Sequence, residues 1–256
     1  MKYAILLSIS SLAILAVLFM PPIMQDPLYH LFADQRALLA LPNAFDVLSN
    51  LAFILVGGFG LLRLRNLGSE SIISELAYLY RVFFIAVMLI GAGSFYYHLQ
   101  PDNASLVWDR LPMTLAFMAF FSIVLAEYLG IRLAVVLFPL LVFCGFFSVL
   151  YWAWTESIGQ GDLRLYVLVQ FLPIVLLPFL LKLGAGAFTG AGYYWLILLC
   201  YLIAKLLEHL DQQLFDVLQW VSGHSLKHLV SALAVWVFIR MLSRRRRPAR
   251  MDGEQN

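Results

Sequence analysis

Charge is what this chain has least of. Of its 256 residues, 12% are Asp, Glu, Lys or Arg, against roughly 25% in an average soluble domain. So few charges cannot clothe a water-soluble surface. With a mean hydropathy of +0.87, the chain reads as a polytopic membrane protein. The net charge of +2 is too small to argue for nucleic acid, and no such partner is expected. Cysteine is nearly missing as well. Cys144 and Cys200 both lie inside apolar runs, so they read as small core residues and do not define a redox compartment. No repeat with a period of about 20 to 50 residues is evident. Low complexity is confined to the basic tail.

What the chain does have is long apolar runs. A spanning helix needs about 20 mostly apolar residues. Eight stretches meet or approach that length: residues 3–20, 45–62, 78–98, 110–128, 131–152, 165–183, 192–210 and 224–241. The expected fold is all-α, a polytopic membrane helix bundle. The first run also has the look of a signal peptide, with Lys2 as a thin positive region. It ends at Pro21-Pro22 without a small-x-small cleavage site, so a retained helix is preferred.

The connections alternate in charge. One set carries Lys2, Arg63, Arg65, Arg132, Lys182 and Arg244 to Arg247. The other carries Asp26, Asp34, Asp102, Asp109, Glu156, Asp162, Asp211 and Asp216. Positive residues stay on the cytoplasmic side, so both termini are expected there. The Arg244–Arg247 run then reads as a topology anchor touching anionic lipid head groups.

Two polar knots interrupt the oil. Gly91 to Met113 holds Ser94, His98, Asp109 and Arg110, and Gly223 to His228 reads GHSLKH. The topology puts both on the non-cytoplasmic side at one depth. His98 is expected to end the third helix. Asp109 is expected to open the fourth, with Pro112 in its first turn, and His224 to open the eighth.

His224 and His228 lie one helical turn apart on one face. Paired imidazoles at that spacing bind metal ions, though interfacial packing is the blander reading. His98 completes the three-histidine set of a catalytic zinc site, with a fourth position open to water. Asp109 could take a proton from that water and return it to a leaving amine or alkoxide. The alternatives for it are a surface pair with Arg110 or a helix N-cap. Ser94, one turn before His98, could donate to a developing oxyanion or simply bond its own helix.

Asn43, Asp46, Ser49 and Asn50 recur at helical spacing. Asp46 and Asn50 are read as making hydrogen bonds between helices. Lys205, Glu208 and Asp211 recur every three residues on one face, with Lys205 expected to form a buried pair with Glu208 or His209. Tyr151, Trp152 and Trp154 look like an interfacial aromatic belt.

Taken together, these pieces resemble a family. SFYYH, followed eleven residues later by Asp109 and then RLPM, resembles the S-x-x-x-H … D-E-L-P-M signature of alkaline ceramidases. These belong to a superfamily of seven-helix membrane hydrolases that includes adiponectin-receptor-like proteins. GHSLKHLVSALA looks like the family's last-helix H-x-x-x-H, NAFDVLSN like its E-F-x-N-T-x-S-N, and LEHLDQQLF like the segment before the final histidines. The likeness runs from about Asn43 to Trp236.

The resemblance implies a zinc-binding set of His98, His224 and His228, with Asp109 as proton shuttle and Ser94 as helper. Asn50, Asp46, Asp211 and Arg110 are supporting candidates. The implied reaction is hydrolysis of a ceramide amide to a sphingoid base and a fatty acid, on a membrane lipid that enters sideways. The implied domain plan is an N-terminal transmembrane helix in 1–22 and a non-cytoplasmic loop in 23–44. A seven-helix ceramidase-like bundle in 45–241 and a basic cytoplasmic tail in 242–256 follow.

The chain departs from the family pattern at several points. The first helix is an addition. The family's calcium motif is replaced by FADQR at Phe32 to Arg36. Asp34, Asn43 and Asp46 could offer oxygens to Ca2+, but without the acidic cluster such a site calls for. Arg110 stands where the family has a glutamate. Two rival functions are carried: a receptor-like member with structural zinc, and a proton-coupled transporter using Lys205, Glu208 and the histidines.

Overall fold

The computed structural model describes residues 2–248. Residues 249–256 of the expected tail lie outside the described residues. The described chain is all-helical. Its helices are α1 (Lys2–Phe19), α2 (Ala44–Ser49), α3 (Leu51–Leu64), α4 (Ala77–Leu99), α5 (Asn103–Leu129), α6 (Ile131–Ser157), α7 (Arg164–Leu183), α8 (Ala191–His209), α9 (Asp211–Leu218) and α10 (Gly223–Arg244). Eight segments are long and apolar enough to cross a membrane, with α2 and α3 forming one of them. Helices are the expected answer in lipid, where each backbone N–H and C=O must find its partner within the segment. This is the fold of a multi-pass membrane protein.

Helices α3, α4, α5 and α6 pack as successive neighbours, and α7 closes on α5 and α6. Helix α10 packs against α8 on one side and α3 on the other, and α1 lies against α7. Helices α4 and α10 do not pack backbone to backbone. They face each other across the bundle, and bulky side chains close the distance. The Phe238 ring of α10 sits 5.1 Å from Phe83 and 6.0 Å from Phe84 of α4, and 5.3 Å from Phe120 of α5.

The fourth span starts earlier than its hydropathy suggests. Asp102, not Asp109, is the N-cap. Its carboxylate accepts from the Ser105 amide at 2.6 Å, and the Ser105 hydroxyl accepts from the Asp102 amide at 3.1 Å. This reciprocal cap satisfies two donors that helix geometry leaves orphaned. The bond from the Ser105 amide holds the Asp102 carboxyl below its usual range. Asp109 and Pro112 therefore lie inside α5.

The bundle end away from the histidines is held by a buried ion pair. Glu127 of α5 meets Arg245, just past α10, at 2.6 Å, and both side chains are nearly inaccessible. The Tyr194 hydroxyl donates to Glu127 at 2.8 Å. Arg245 also donates to the Ser71 carbonyl and to the Tyr80 hydroxyl. Burial works against the Arg245 charge, but Glu127, Tyr194 and Tyr80 together outweigh it and raise its pKa. Arg245 is thus an inward clamp, which corrects its reading as a lipid anchor; Arg244 and Arg246 are exposed. Arg245→Leu strands the Glu127 carboxylate in the interior. It is expected to lower stability by roughly 3–5 kcal/mol, read as a large drop in the thermal unfolding midpoint in detergent.

Candidate metal centre

His98 lies in the last turn of α4, His224 and His228 in the first two turns of α10. All three are buried. Their ring centroids form a nearly equilateral triangle with sides of 4.9, 5.0 and 4.9 Å. One nitrogen from each lies within 4.8 Å of the others, and His98 Nε2 approaches His224 Nε2 at 2.8 Å. Among the described residues this is the only convergent group of three or more His, Cys, Asp or Glu side chains.

The hydrogen bonds behind the rings settle which nitrogens face the centre. His98 Nδ1 is 2.7 Å from the Ser94 carbonyl, which can only accept, so Nδ1 carries the proton and Nε2 keeps its lone pair. The Ser49 hydroxyl donates to the Asp46 carbonyl at 2.9 Å and therefore accepts from His228 Nδ1 at 2.7 Å. That again leaves Nε2 free. Outer partners that fix a tautomer are how proteins orient imidazole ligands. These neutral, oriented imidazoles can hold a metal ion. Ser49→Ala is expected to weaken metal affinity by about 10–100-fold without abolishing it, measured by competition with a chelating indicator.

Close backbone approach shapes each knot. Pro112 has no N–H to offer the Trp108 carbonyl one turn back. That carbonyl instead lies against Gly93 of α4, where any Cβ would collide with it. Gly223 is equally constrained, since a Cβ there would strike the Leu207 carbonyl and the Asp211 backbone. These two glycines let α5 press on α4 beside the site and let α10 begin against α8.

Asp109 is half-buried, while Ser94 is buried one turn before His98 on α4. Both line a cavity of about 390 Å³ that also reaches His228. The volume falls within the range of ligand sites, roughly 300–1,000 Å³. The cavity wall is mostly apolar, with Phe83, Val124 and Phe238 deep inside, and it reaches Pro173 and Ile197 on the facing sides of α7 and α8.

The supporting candidates divide. Asp46 makes the expected bonds between helices, accepting from Ser222 at 3.2 Å and Ser225 at 2.5 Å. Asn50 does not; it donates to the Asp46 carbonyl of its own turn at 2.8 Å. Asp211 leaves the face shared by Lys205 and Glu208, because the helix breaks at Leu210. It accepts instead from the His224 amide at 2.6 Å and the Ala33 amide at 3.0 Å. Lys205 does pair with Glu208, at 2.7 Å. Arg110 makes no surface pair with Asp109, since adjacent helix residues do not face one another. It is buried, over Trp152 at 4.2 Å. Trp152 therefore belongs to the core and not to the interfacial belt, while Trp154 is exposed. Asp34, Asn43 and Asp46 do not gather into a calcium site. Asp34 is held by Arg36 at 2.7 Å, and Asn43 donates to the His98 carbonyl at 2.9 Å.

Sequence reasoning missed the loop before α2. It folds over the histidines. Phe32 stacks on His98 at 4.7 Å and lies 4.5 Å from His224. His30 bonds the Tyr97 hydroxyl at 2.9 Å and Asn103 at 3.0 Å. A hydrophobic cover of this kind excludes water and sharpens the electrostatics beneath it. No family model, no curated protein and no solved structure matches the chain.

Proposed function

We propose that the chain is a zinc-dependent membrane hydrolase that cleaves the amide of a long-chain lipid, ceramide-like in its acyl chain. The observation that carries this reading is the convergence of three imidazoles, two of them oriented by outer hydrogen bonds, with Asp109 and Ser94 at the polar end of an apolar cavity. It agrees with the resemblance of these same residues to alkaline ceramidases. Three neutral histidines are the donor set of catalytic zinc, and a thiolate-free site does not suit softer metals.

Zinc, when held by His98, His224 and His228, supplies Lewis acidity toward water and a carbonyl. The chain's own groups do the rest. The cavity takes the acyl chain, which reaches it through the seam between α7 and α8. Phe32 keeps bulk water off the histidines. Asp109 accepts the proton of the attacking water at a carboxylate oxygen, then returns it to the departing nitrogen. Ser94 offers its hydroxyl to the carbonyl oxygen as charge builds there.

The side of the membrane follows from the charges. Lys2 reaches the Tyr128 carbonyl at 3.4 Å and Arg63 reaches Ser243 at 3.5 Å, at the end clamped by Arg245. That basic end is the cytoplasmic one by the positive-inside rule, with Arg244 and Arg246 free to meet anionic head groups. The metal centre then faces the opposite side.

The test is turnover with and without metal. Protein stripped with a chelator is expected to release no fatty acid from long-chain amides, and stoichiometric zinc is expected to restore release. A chain that binds zinc tightly and cleaves no acylated lipid overturns the hydrolase and leaves a receptor-like protein with a structural ion.

A further inference from the structure

Five ionisable side chains besides histidine and tyrosine line the cavity: Asp109 and Arg110 of α5, Lys205 and Glu208 of α8, and Lys227 of α10. Three cations face two carboxylates. Glu208 already bridges both lysines, to Lys205 at 2.7 Å and Lys227 at 2.6 Å. Arg110 has no carboxylate within 4.0 Å among the described residues.

The setting of Arg110 is specific. It is 5% exposed, and its guanidinium lies 4.2 Å from the Trp152 ring, 4.8 Å from Tyr166 and 5.7 Å from Tyr29. Nη2 donates to the Gln25 side chain at 2.7 Å, and Nη1 is buried with no hydrogen-bond partner. Aromatic faces steady a guanidinium without using up its in-plane donors. A surplus cation in an apolar, membrane-embedded cavity is costly unless an anion meets it. A divalent ion on neutral imidazoles would add to the surplus.

We infer that the site is completed by an anionic group on its lipid. Arg110 lies at the level of Asp109 on α5 and Lys227 at the level of His228 on α10, and all four line the cavity, so the anion belongs at its histidine end and not at the far end of the acyl chain. In a lipid amide that position is the amine half. The substrate class is then an N-acyl amino acid, whose carboxylate lies a short distance from the amide nitrogen, and Arg110 and Lys227 receive it. The hydroxyls of a neutral amine half would leave the surplus charge unmet. The amide assignment rests on the hydrolase reading; the anion site does not.

The test uses the full chain in phosphatidylcholine nanodiscs with three probes: N-oleoylglycine, N-oleoylethanolamine and oleate. N-oleoylglycine is expected to bind about tenfold or more tighter than N-oleoylethanolamine, the effect of one charge-assisted hydrogen bond. Lys227→Met and Arg110→Gln are each expected to erase most of that preference. If Arg110→Gln fails to fold, the comparison of probes on the native chain and the Lys227 variant still decide. Equal binding of the two amides overturns the anion site, and oleate binding as tightly as N-oleoylglycine through the same residues overturns the N-acyl amino acid as its substrate class. A firm preference for N-oleoylglycine with no oleate released removes the hydrolase and keeps the site. Equal hydrolysis of both amides does the reverse.

Discussion

His224→Ala is expected to strip the purified protein of metal and of hydrolysis together, and His98→Ala and His228→Ala to do the same. The three rings are equivalent by geometry, each about 5 Å from the other two. Removing one leaves two neutral nitrogens and an open wall where a ligand stood. Loss of an outer partner typically costs about 10–100-fold in affinity, so loss of a ligand itself exceeds that. Metal content should fall from about one ion per chain toward background, since a catalytic zinc site rests on three protein ligands. Hydrolysis should fall to the chelator-treated level. His209→Ala is the control, because His209 is exposed and belongs to no cluster. Stability should fall as well, since metal binding at a folded site contributes to folding free energy. The measurements are elemental analysis and fatty-acid release on the same preparations. Full metal retention in all three triad variants would sink the site.

The helices and the triad were legible for different reasons. Apolar length marks a spanning helix almost without regard to sequence detail, so eight segments could be read directly. The triad was legible because two histidines one turn apart and a third near another helix end stand out against oil. The rest depended on contacts that no local pattern announces. Phe32 is an ordinary apolar residue in a loop until the fold sets it on His98. Arg110 followed Asp109 in sequence, and that neighbourhood suggested a pair that helix geometry forbids. Asp211 changed partners because the chain breaks one residue before it, where spacing alone predicted a continuing face.

Two features had a signal that went unused. Glu127 is a lone carboxylate at the end of an apolar run, which calls for a cation, and Arg245 supplies it. Asp102 with Ser105 is a cap pattern three residues apart that places the start of α5 ahead of Asp109. Hydropathy marks where the oil begins, whereas the hydrogen-bonding demand of a polar residue marks its partner and the helix end.

Asp109→Asn separates the metal's presence from the chemistry around it. The substitution keeps the shape of the side chain and a carbonyl oxygen that can still accept a hydrogen bond. It removes only the capacity to take and return a proton. Asp109 contributes no nitrogen to the triad, so the variant should load zinc as the native chain does. Turnover should fall by about 10²–10⁴-fold, the usual weight of a positioned acid–base group. The fall should be larger for an amide than for an ester with the same acyl chain. A departing amine must be protonated as its bond breaks, whereas an alkoxide leaves with less help, so the second half of the proton's journey matters more for the amide. A side chain that merely propped up α5 would lower both substrates alike and shift the unfolding midpoint. Native turnover in a zinc-loaded Asp109→Asn protein would remove Asp109 as the proton carrier and leave that task to water reaching the site past Phe32.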